Sequence, residues 1–165
     1  MRPFPALEGI KREPGTYVVV LHSRCPGSLQ IGRWGELAVR PGFYLYVGSA
    51  LGPGGLLARV SRHCRGVAKK QHWHIDYLHA HSKPVAVWYR YSRRRLEHDW
   101  ATVLVQMVGT VPVEGFGCSD CNCDAHLFFT ARALRPETFA EAVACPVNVL
   151  TCDSVARSGV LQKQV

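Results

Sequence analysis

The chain has 165 residues, 47% of them hydrophobic and 19% charged, and its 20 Lys and Arg against 12 Asp and Glu give a formal net charge of +8. These totals fit one globular domain of ordinary composition. No apolar stretch approaches the roughly 20 residues of a membrane span, and the proline-broken N-terminus has no signal-peptide core, so we expect a cytoplasmic protein without a membrane partner. Its seven cysteines, an odd number, argue against a disulfide framework. The positive excess favours nucleic acid as a partner, because basic side chains release the counterions of a polyanion.

The first part of the chain predicts an irregular arm followed by strands. Residues 1–13 form the arm, and Thr16–His22 is a continuous β-branched run typical of a strand buried on both faces. Two short strands are expected over 29–33 and 36–39, and a third over Phe43–Gly48 after a Pro-Gly turn.

The remainder alternates helices with strands. A glycine-rich loop leads into a helix whose apolar residues, from Leu56 to Cys64, recur at helical spacing. The later elements expected are a short helix over 72–80, a strand over 85–91, a helix over 95–108, a strand over 126–131 and a helix over 136–144. Residues 145–165 are weakly patterned, and we expect a weakly structured tail there. Residues 14–144 therefore predict an α/β (α+β) domain, in which a small, mainly antiparallel mixed sheet is flanked by helices.

Two tyrosine motifs lie on predicted strands near polar side chains. They read Gly15-Thr16-Tyr17 and Tyr46-Val47-Gly48, and the second motif runs through the glycine-rich loop into the helix that carries Arg59 and His63. Tyrosines on strands are most often packing residues. Here, however, a strand end and the following helix would bring several polar side chains together.

In these motifs the chain resembles the GIY-YIG nuclease superfamily, and Arg59 and His63 match its downstream pattern of Arg and His four residues apart. It is most similar to a small stand-alone branch, formerly of unknown function, that is related to Uri-type endonucleases and sometimes fused to endonuclease III-like proteins. The phrases that carry this similarity are YVGSALGPGGLLARVSRH, KKQHWHIDYL and GFGCSDCNCDAHLFF. The resemblance covers residues 14–131 and implies a GIY-YIG-like fold with metal-dependent nuclease activity.

The resemblance also implies catalytic roles for Tyr17, Tyr46, Arg59, His63 and Glu97. Arg59 would bind the phosphate through a guanidinium that is always charged. Tyr17 is assigned as the base or water-orienting group and Tyr46 as its partner at the phosphate, and the two roles could be exchanged. Because a free tyrosine has a pKa of about 10, this chemistry needs a cation nearby.

Acidic residues are scarce in the central region of the sequence, where Asp76, Glu97 and Asp99 are the only ones between Glu36 and Glu114. That scarcity favours one divalent ion, Mg²⁺ or Mn²⁺, over a two-metal site. Glu97 matches the family's metal-binding glutamate at a helix start. A glutamate in the first turn would also suit the helix dipole without binding any metal.

Several basic residues and histidines near the second helix are expected to contact nucleic acid, namely Arg62, Lys69, Lys70, His72 and His74. The alternative is that one of the histidines assists catalysis. Further along, Cys118, Cys121, Cys123 and His126 have the residue types of a Zn²⁺ site. Their spacing is tight and contains a single C-x-x-C pair, which favours simple buried cysteines over a metal site.

Taken together, these observations predict a metal-dependent endonuclease that hydrolyses phosphodiester bonds. DNA is the favoured substrate, and RNA or single strands remain open. Two other classes of function are kept as alternatives. One is a non-catalytic nucleic-acid-binding module of the same fold, and the other is a zinc-stabilised interaction protein.

Overall fold

The structure is a computed structural model that describes residues 7, 9–65, 71, 73–118 and 121–152. Within that part of the chain the strands are β1 (Gly15–Ser23), β2 (Gly27–Ile31), β3 (Gly35–Val39), β4 (Gly42–Ala50), β5 (Lys83–Tyr91), β6 (Thr110–Pro112), β7 (Leu127–Thr130) and β8 (Asn148–Thr151). The helices are α1 (Gly55–Cys64), α2 (His74–Leu78), α3 (Glu97–Gln106) and α4 (Pro136–Ala142). None of the described helices has the length and apolar character needed to cross a bilayer.

Six strands form one sheet in the order β6-β7-β4-β1-β5-β8, while β2 and β3 form a separate hairpin. Every neighbouring pair in the large sheet is antiparallel, which confirms the predicted fold class. In the central pair, Tyr17 lies opposite Gly48 and Val19 lies opposite Tyr46. Because the two strands run in opposite directions, the start of β1 lies beside the end of β4. The two tyrosine motifs therefore meet at one end of the sheet.

Helices cover both faces of the sheet, so β1 is buried on both sides as its uninterrupted apolar run predicts. On one face Val19 packs in a core with Leu56 of α1, together with residues of α2 and of the hairpin. On the other face Val18 packs in a second core with Trp100 of α3 and Phe139 of α4. The result is a three-layered domain whose central strands are held rigidly from both sides.

The structure departs from the predicted elements mainly at the sheet edges. The expected helices and strands are present, with ends shifted by no more than a residue or two. Strand β6, which pairs with β7, was not predicted. The expectation of a weakly structured tail from residue 145 is wrong over Asn148–Thr151, which pairs with β5 as β8. In β8 only Leu150 is buried, and one inward side chain produces no detectable period in the sequence. Residues 1–6 and 8 of the predicted arm, and residues 153–165, lie outside the described part of the chain.

Candidate active site

A pocket of about 320 Å³ opens at the end of the sheet where β1 begins and β4 ends. Four of the five residues predicted to be catalytic line it, namely Tyr17, Tyr46, Arg59 and Glu97. They come from two strands, the middle of α1 and the first turn of α3, which are far apart in the sequence. The structure therefore brings together the side chains that the motif resemblance grouped.

Glu97 reaches the pocket because α3 starts beside the first strand. The Leu96 backbone N–H donates to Thr16 Oγ1 at 3.4 Å, and Trp100 packs α3 against the sheet. The Glu97 side chain is only 14% exposed, and its Oε1 lies 3.5 Å from Arg95 Nη1 and 3.5 Å from His98 Nε2. A carboxylate that is so little exposed to solvent, and that lies in a pocket beside Arg95 and His98, is well placed to hold a cation or to orient one of these side chains.

Tyr17 is buried in the wall of the pocket, with a hydroxyl that lies 3.1 Å from His63 Nε2. Burial, reinforced by the neighbouring Tyr46, raises the pKa of Tyr17 above its ordinary value. A Cβ added at Gly48 would lie 2.5 Å from the Tyr17 hydroxyl oxygen, so the glycine of the second motif makes room for the tyrosine of the first. Burial likewise raises the pKa of Tyr46 to about 12. Neither phenol is ionised near neutral pH in these surroundings.

His63, also predicted to be catalytic, contacts Tyr17 but is not among the residues that line the pocket. It is almost fully buried, and burial together with the nearby His79 lowers its pKa to about 3. Its imidazole is therefore neutral at physiological pH and carries one N–H. When that proton is on Nδ1, which lies 3.5 Å from His79 Nε2, His63 Nε2 accepts a hydrogen bond from the Tyr17 hydroxyl. His63 therefore contacts the Tyr17 phenol without lining the pocket itself.

Arg59 lines the pocket from α1 with its guanidinium carbon 4.6 Å above the ring centre of Trp73. This stacking orients a fixed positive charge without neutralising it. Trp73 itself lines the pocket and is 36% exposed. Trp73 is not among the predicted site residues, although an aromatic residue among basic ones is a signal for nucleic-acid contact.

Arg62, predicted to bind nucleic acid, forms an ion pair with Asp76 and remains 31% exposed. Its Nη2 lies 2.7 Å from Oδ2 of Asp76, whose side chain is 3% exposed. The Trp73 backbone N–H also donates to that oxygen, at 3.0 Å. Because a buried carboxylate is stabilised by a paired cation, this ion pair fixes the position of the Arg62 guanidinium.

The other predicted nucleic-acid contacts have different outcomes. His74 lines the pocket, and its Nδ1 accepts a hydrogen bond from the Gly117 backbone N–H at 3.3 Å. This contact ties the start of α2 to the loop between β6 and β7. Lys69, Lys70 and His72 lie outside the described residues.

A group of His and Cys side chains lies beside the pocket, and three of them, His98, Cys121 and His126, line it. Ligand atoms of His98, Cys121, Cys123 and His126 all lie within 4.8 Å of one another, so these residues could hold a metal ion. The predicted ligand set contained Cys118, which the structure replaces with His98. The Cys118 thiol instead donates to the Phe116 carbonyl at 3.5 Å. Two sulfurs and two imidazole nitrogens suit Zn²⁺ better than Mg²⁺.

His98 escaped the sequence analysis because it lies on α3, well before the cysteines in the chain. Only the packing of α3 beside the loop of 113–126 brings it to them. Cys121 and Cys123 are also half-exposed rather than buried, which contradicts the expectation of simple buried cysteines. Cys121 also lines the polar pocket, so packing alone does not explain where these thiols lie.

A protein-family model matches most of the chain. The family model described as "Domain of unknown function DUF123" matches residues 16–146, an interval that runs from β1 past α4 and includes the whole described pocket. No curated protein and no solved structure matches the chain.

Proposed function

This chain belongs to the DUF123 family, and we propose that it is a metal-dependent nuclease of the GIY-YIG type that hydrolyses phosphodiester bonds in nucleic acid, with DNA as the favoured substrate. One observation carries the proposal, namely that Tyr17, Tyr46, Arg59 and Glu97 line a single pocket. The antiparallel pairing that joins the two tyrosine motifs supports the superfamily assignment.

Arg59 is the phosphate-binding group of the proposed site. It forms no ion pair with another described residue, whereas Arg62, one turn later on the same helix, is held by Asp76. Its planar guanidinium can donate two parallel hydrogen bonds to a phosphoryl group. The charge that develops on the phosphoryl oxygens in the transition state strengthens this interaction, which is how such a group accelerates the reaction.

Tyr17 acts as a water-orienting group in this proposal. The raised pKa of its phenol and the low pKa of His63 both oppose removal of the Tyr17 proton at neutral pH. Because the Tyr17 hydroxyl donates a hydrogen bond to His63 Nε2, the lone pairs of the phenol oxygen remain available to accept a hydrogen bond from the attacking water. Tyr46, which carries its own hydroxyl proton, donates to a phosphate oxygen.

Glu97 is the residue that would hold a divalent ion. Its carboxylate is a hard oxygen donor inside the pocket, and Mg²⁺ is usually bound through one or two carboxylates while keeping several waters. When bound, the ion would supply Lewis-acid stabilisation of the phosphoryl charge. Asp76 does not compete for it, because its carboxylate is buried against Arg62.

The test is a cleavage assay on labelled single strands, duplexes and RNA, with Mg²⁺, Mn²⁺ or a chelator. We expect the wild type to cleave at least one substrate, and Tyr17→Phe, Arg59→Ala and Glu97→Gln each to lower the rate by about 100-fold or more. The matched controls are Tyr77→Phe, Arg132→Ala and Glu114→Gln, which change the same residue types outside the pocket. Equal cleavage by site variants and controls would contradict the proposed site.

A non-catalytic nucleic-acid-binding module is the second candidate, and the exposed ring of Trp73 beside Arg59 is the observation that favours it. Salt-sensitive binding of nucleic acid, with no cleavage under any metal condition, would select this function over the nuclease.

A further inference from the structure

The loop of residues 113–126 is held at its base by backbone hydrogen bonds. Near the base, the Val113 N–H donates to the Leu127 carbonyl at 2.9 Å and the His126 N–H donates to the Phe116 carbonyl at 2.9 Å. The tip carries Cys121 and Cys123, both half-exposed. Neither cysteine is part of the two apolar cores, so packing does not explain why this loop presents two thiols toward the pocket side.

The distances around these thiols fit a tetrahedral ion. Cys121 Sγ lies 3.1 Å from His126 Nε2, and Cys123 Sγ lies 3.0 Å from His98 Nδ1. Zinc bonds of about 2.0 to 2.3 Å space the ligand atoms of a tetrahedron roughly 3.3 to 3.8 Å apart. The four ligand atoms, all within 4.8 Å of one another, thus need shifts of only some tenths of an ångström up to about 1 Å to surround one ion.

We propose that His98, Cys121, Cys123 and His126 bind one Zn²⁺ as a structural site that locks the loop tip to the start of α3. Two thiolates and two imidazoles are a donor set typical of structural zinc, and four protein ligands leave no open position for a reactive water. This zinc is therefore distinct from the hard divalent ion proposed at Glu97.

The site also reaches Glu97 through the second nitrogen of His98. Nδ1 of that ring faces Cys123, and Nε2 lies 3.5 Å from Glu97 Oε1. Imidazoles that bind a metal through one nitrogen usually donate the other N–H to a carboxylate or carbonyl. Zinc on Nδ1 would hold the proton on Nε2 and direct it at the Glu97 carboxylate. The zinc would then orient the carboxylate of Glu97. An effect of this orientation on cleavage rests on the proposed function, but zinc binding itself does not.

The experiment measures metal binding by the full chain with reduced thiols. We expect about one zinc per chain by elemental analysis, and Co²⁺ substitution should give thiolate-to-cobalt charge-transfer absorption with the d–d bands of a tetrahedral ion. Competition with a chromophoric chelator gives the affinity of the wild type, so the test does not depend on any variant folding. No zinc after reconstitution, or cobalt spectra without thiolate bands, would overturn the proposal.

Variants then identify the ligands. Cys121→Ser and His98→Gln should each weaken zinc binding by about 100-fold or more, and Cys121→Ser should reduce the thiolate band. Cys118→Ser and Cys25→Ser are the matched controls, because neither thiol belongs to the cluster. Loss of zinc from Cys118→Ser equal to that from Cys121→Ser would refute this ligand set. Glu97→Gln should keep the zinc and lose cleavage. A wild type that binds zinc but cleaves no substrate would leave this inference standing while the nuclease proposal falls.

Discussion

The two sides of the pocket hold their polar groups by different means. The tyrosine wall, made of Tyr17, Tyr46 and Arg59, is built on β1, β4 and α1, whose backbones are paired or helical and packed from both sides. The cysteine wall, made of His98, Cys121, Cys123 and His126, combines one helix turn with a loop tip. The first wall is ordered by burial and hydrogen bonds within the fold. The second brings four possible metal ligands together, and under the zinc proposal an added ion orders them.

The largest effect that this comparison predicts is the loss of the ion pair behind the tyrosine wall. Arg62→Ala leaves the Asp76 carboxylate, with 3% exposure, without its guanidinium, and should lower the free energy of unfolding by about 3 kcal/mol. Urea unfolding of zinc-loaded and chelated protein should show the same loss, because this pair does not involve the cysteine wall. Arg59→Ala, on the same helix and over the same Trp73 ring, is the matched control and should cost less than about 1 kcal/mol. An Arg62 effect that disappeared on chelation would break the distinction between the walls.

A smaller effect is expected from crowding the tyrosine wall itself. Gly48→Ala places a methyl group against the Tyr17 hydroxyl, which must move away from His63, and we expect a loss of about 2 kcal/mol in unfolding free energy. Gly52→Ala, at a glycine whose Cβ would meet nothing within 4 Å, should be nearly neutral. Both variants should bind zinc like the wild type. Equal stability of the two alanine variants would mean that the close approach at Gly48 does not hold Tyr17 in place.

A third effect, which accumulates gradually as acid is added, is a dependence of stability on pH. Burial and the nearby His79, Arg62 and Arg59 lower the pKa of His63 to about 3, while Asp76 acts in the opposite direction. As the pH falls below about 6.5 the unfolded chain takes up the proton first, so the contribution of His63 to stability is present above that pH and is lost as the pH falls towards 3. The slope for this one group is at most about 1.4 kcal/mol per pH unit.

His63→Asn tests that slope when both proteins are unfolded by urea between pH 7 and pH 4. Chelator in every sample removes the protonation of zinc ligands as a cause. We expect the stability of the wild type to fall faster with acid than that of the variant. Parallel curves would show that His63 is not the buried neutral group that the tyrosine wall requires.

Much of the fold could be predicted from the sequence because buried positions carry apolar residues in recognisable runs and at regular spacings. The β1 run from Thr16 to His22 predicts a strand covered on both faces, and the spacing from Leu56 to Cys64 predicts α1. The edge strands β6 and β8 could not be predicted, since short strands with one or two inward residues are defined by their partners' hydrogen bonds. Arg62 illustrates the same limit in the site. Its charge suggested a phosphate contact, but whether an arginine faces solvent or a buried carboxylate is decided by the neighbouring helix.

The sequence by itself determined the family, the order of the central elements and the motif residues of the tyrosine wall, because these depend on local spacing and on residue type. Only the tertiary structure decided that His63 lies behind Tyr17 and that His98, rather than Cys118, completes the cysteine wall. Both decisions depend on packing between segments that are distant in the chain. These contacts form because two apolar cores pack on opposite faces of one sheet, and no local pattern of residues predicts them.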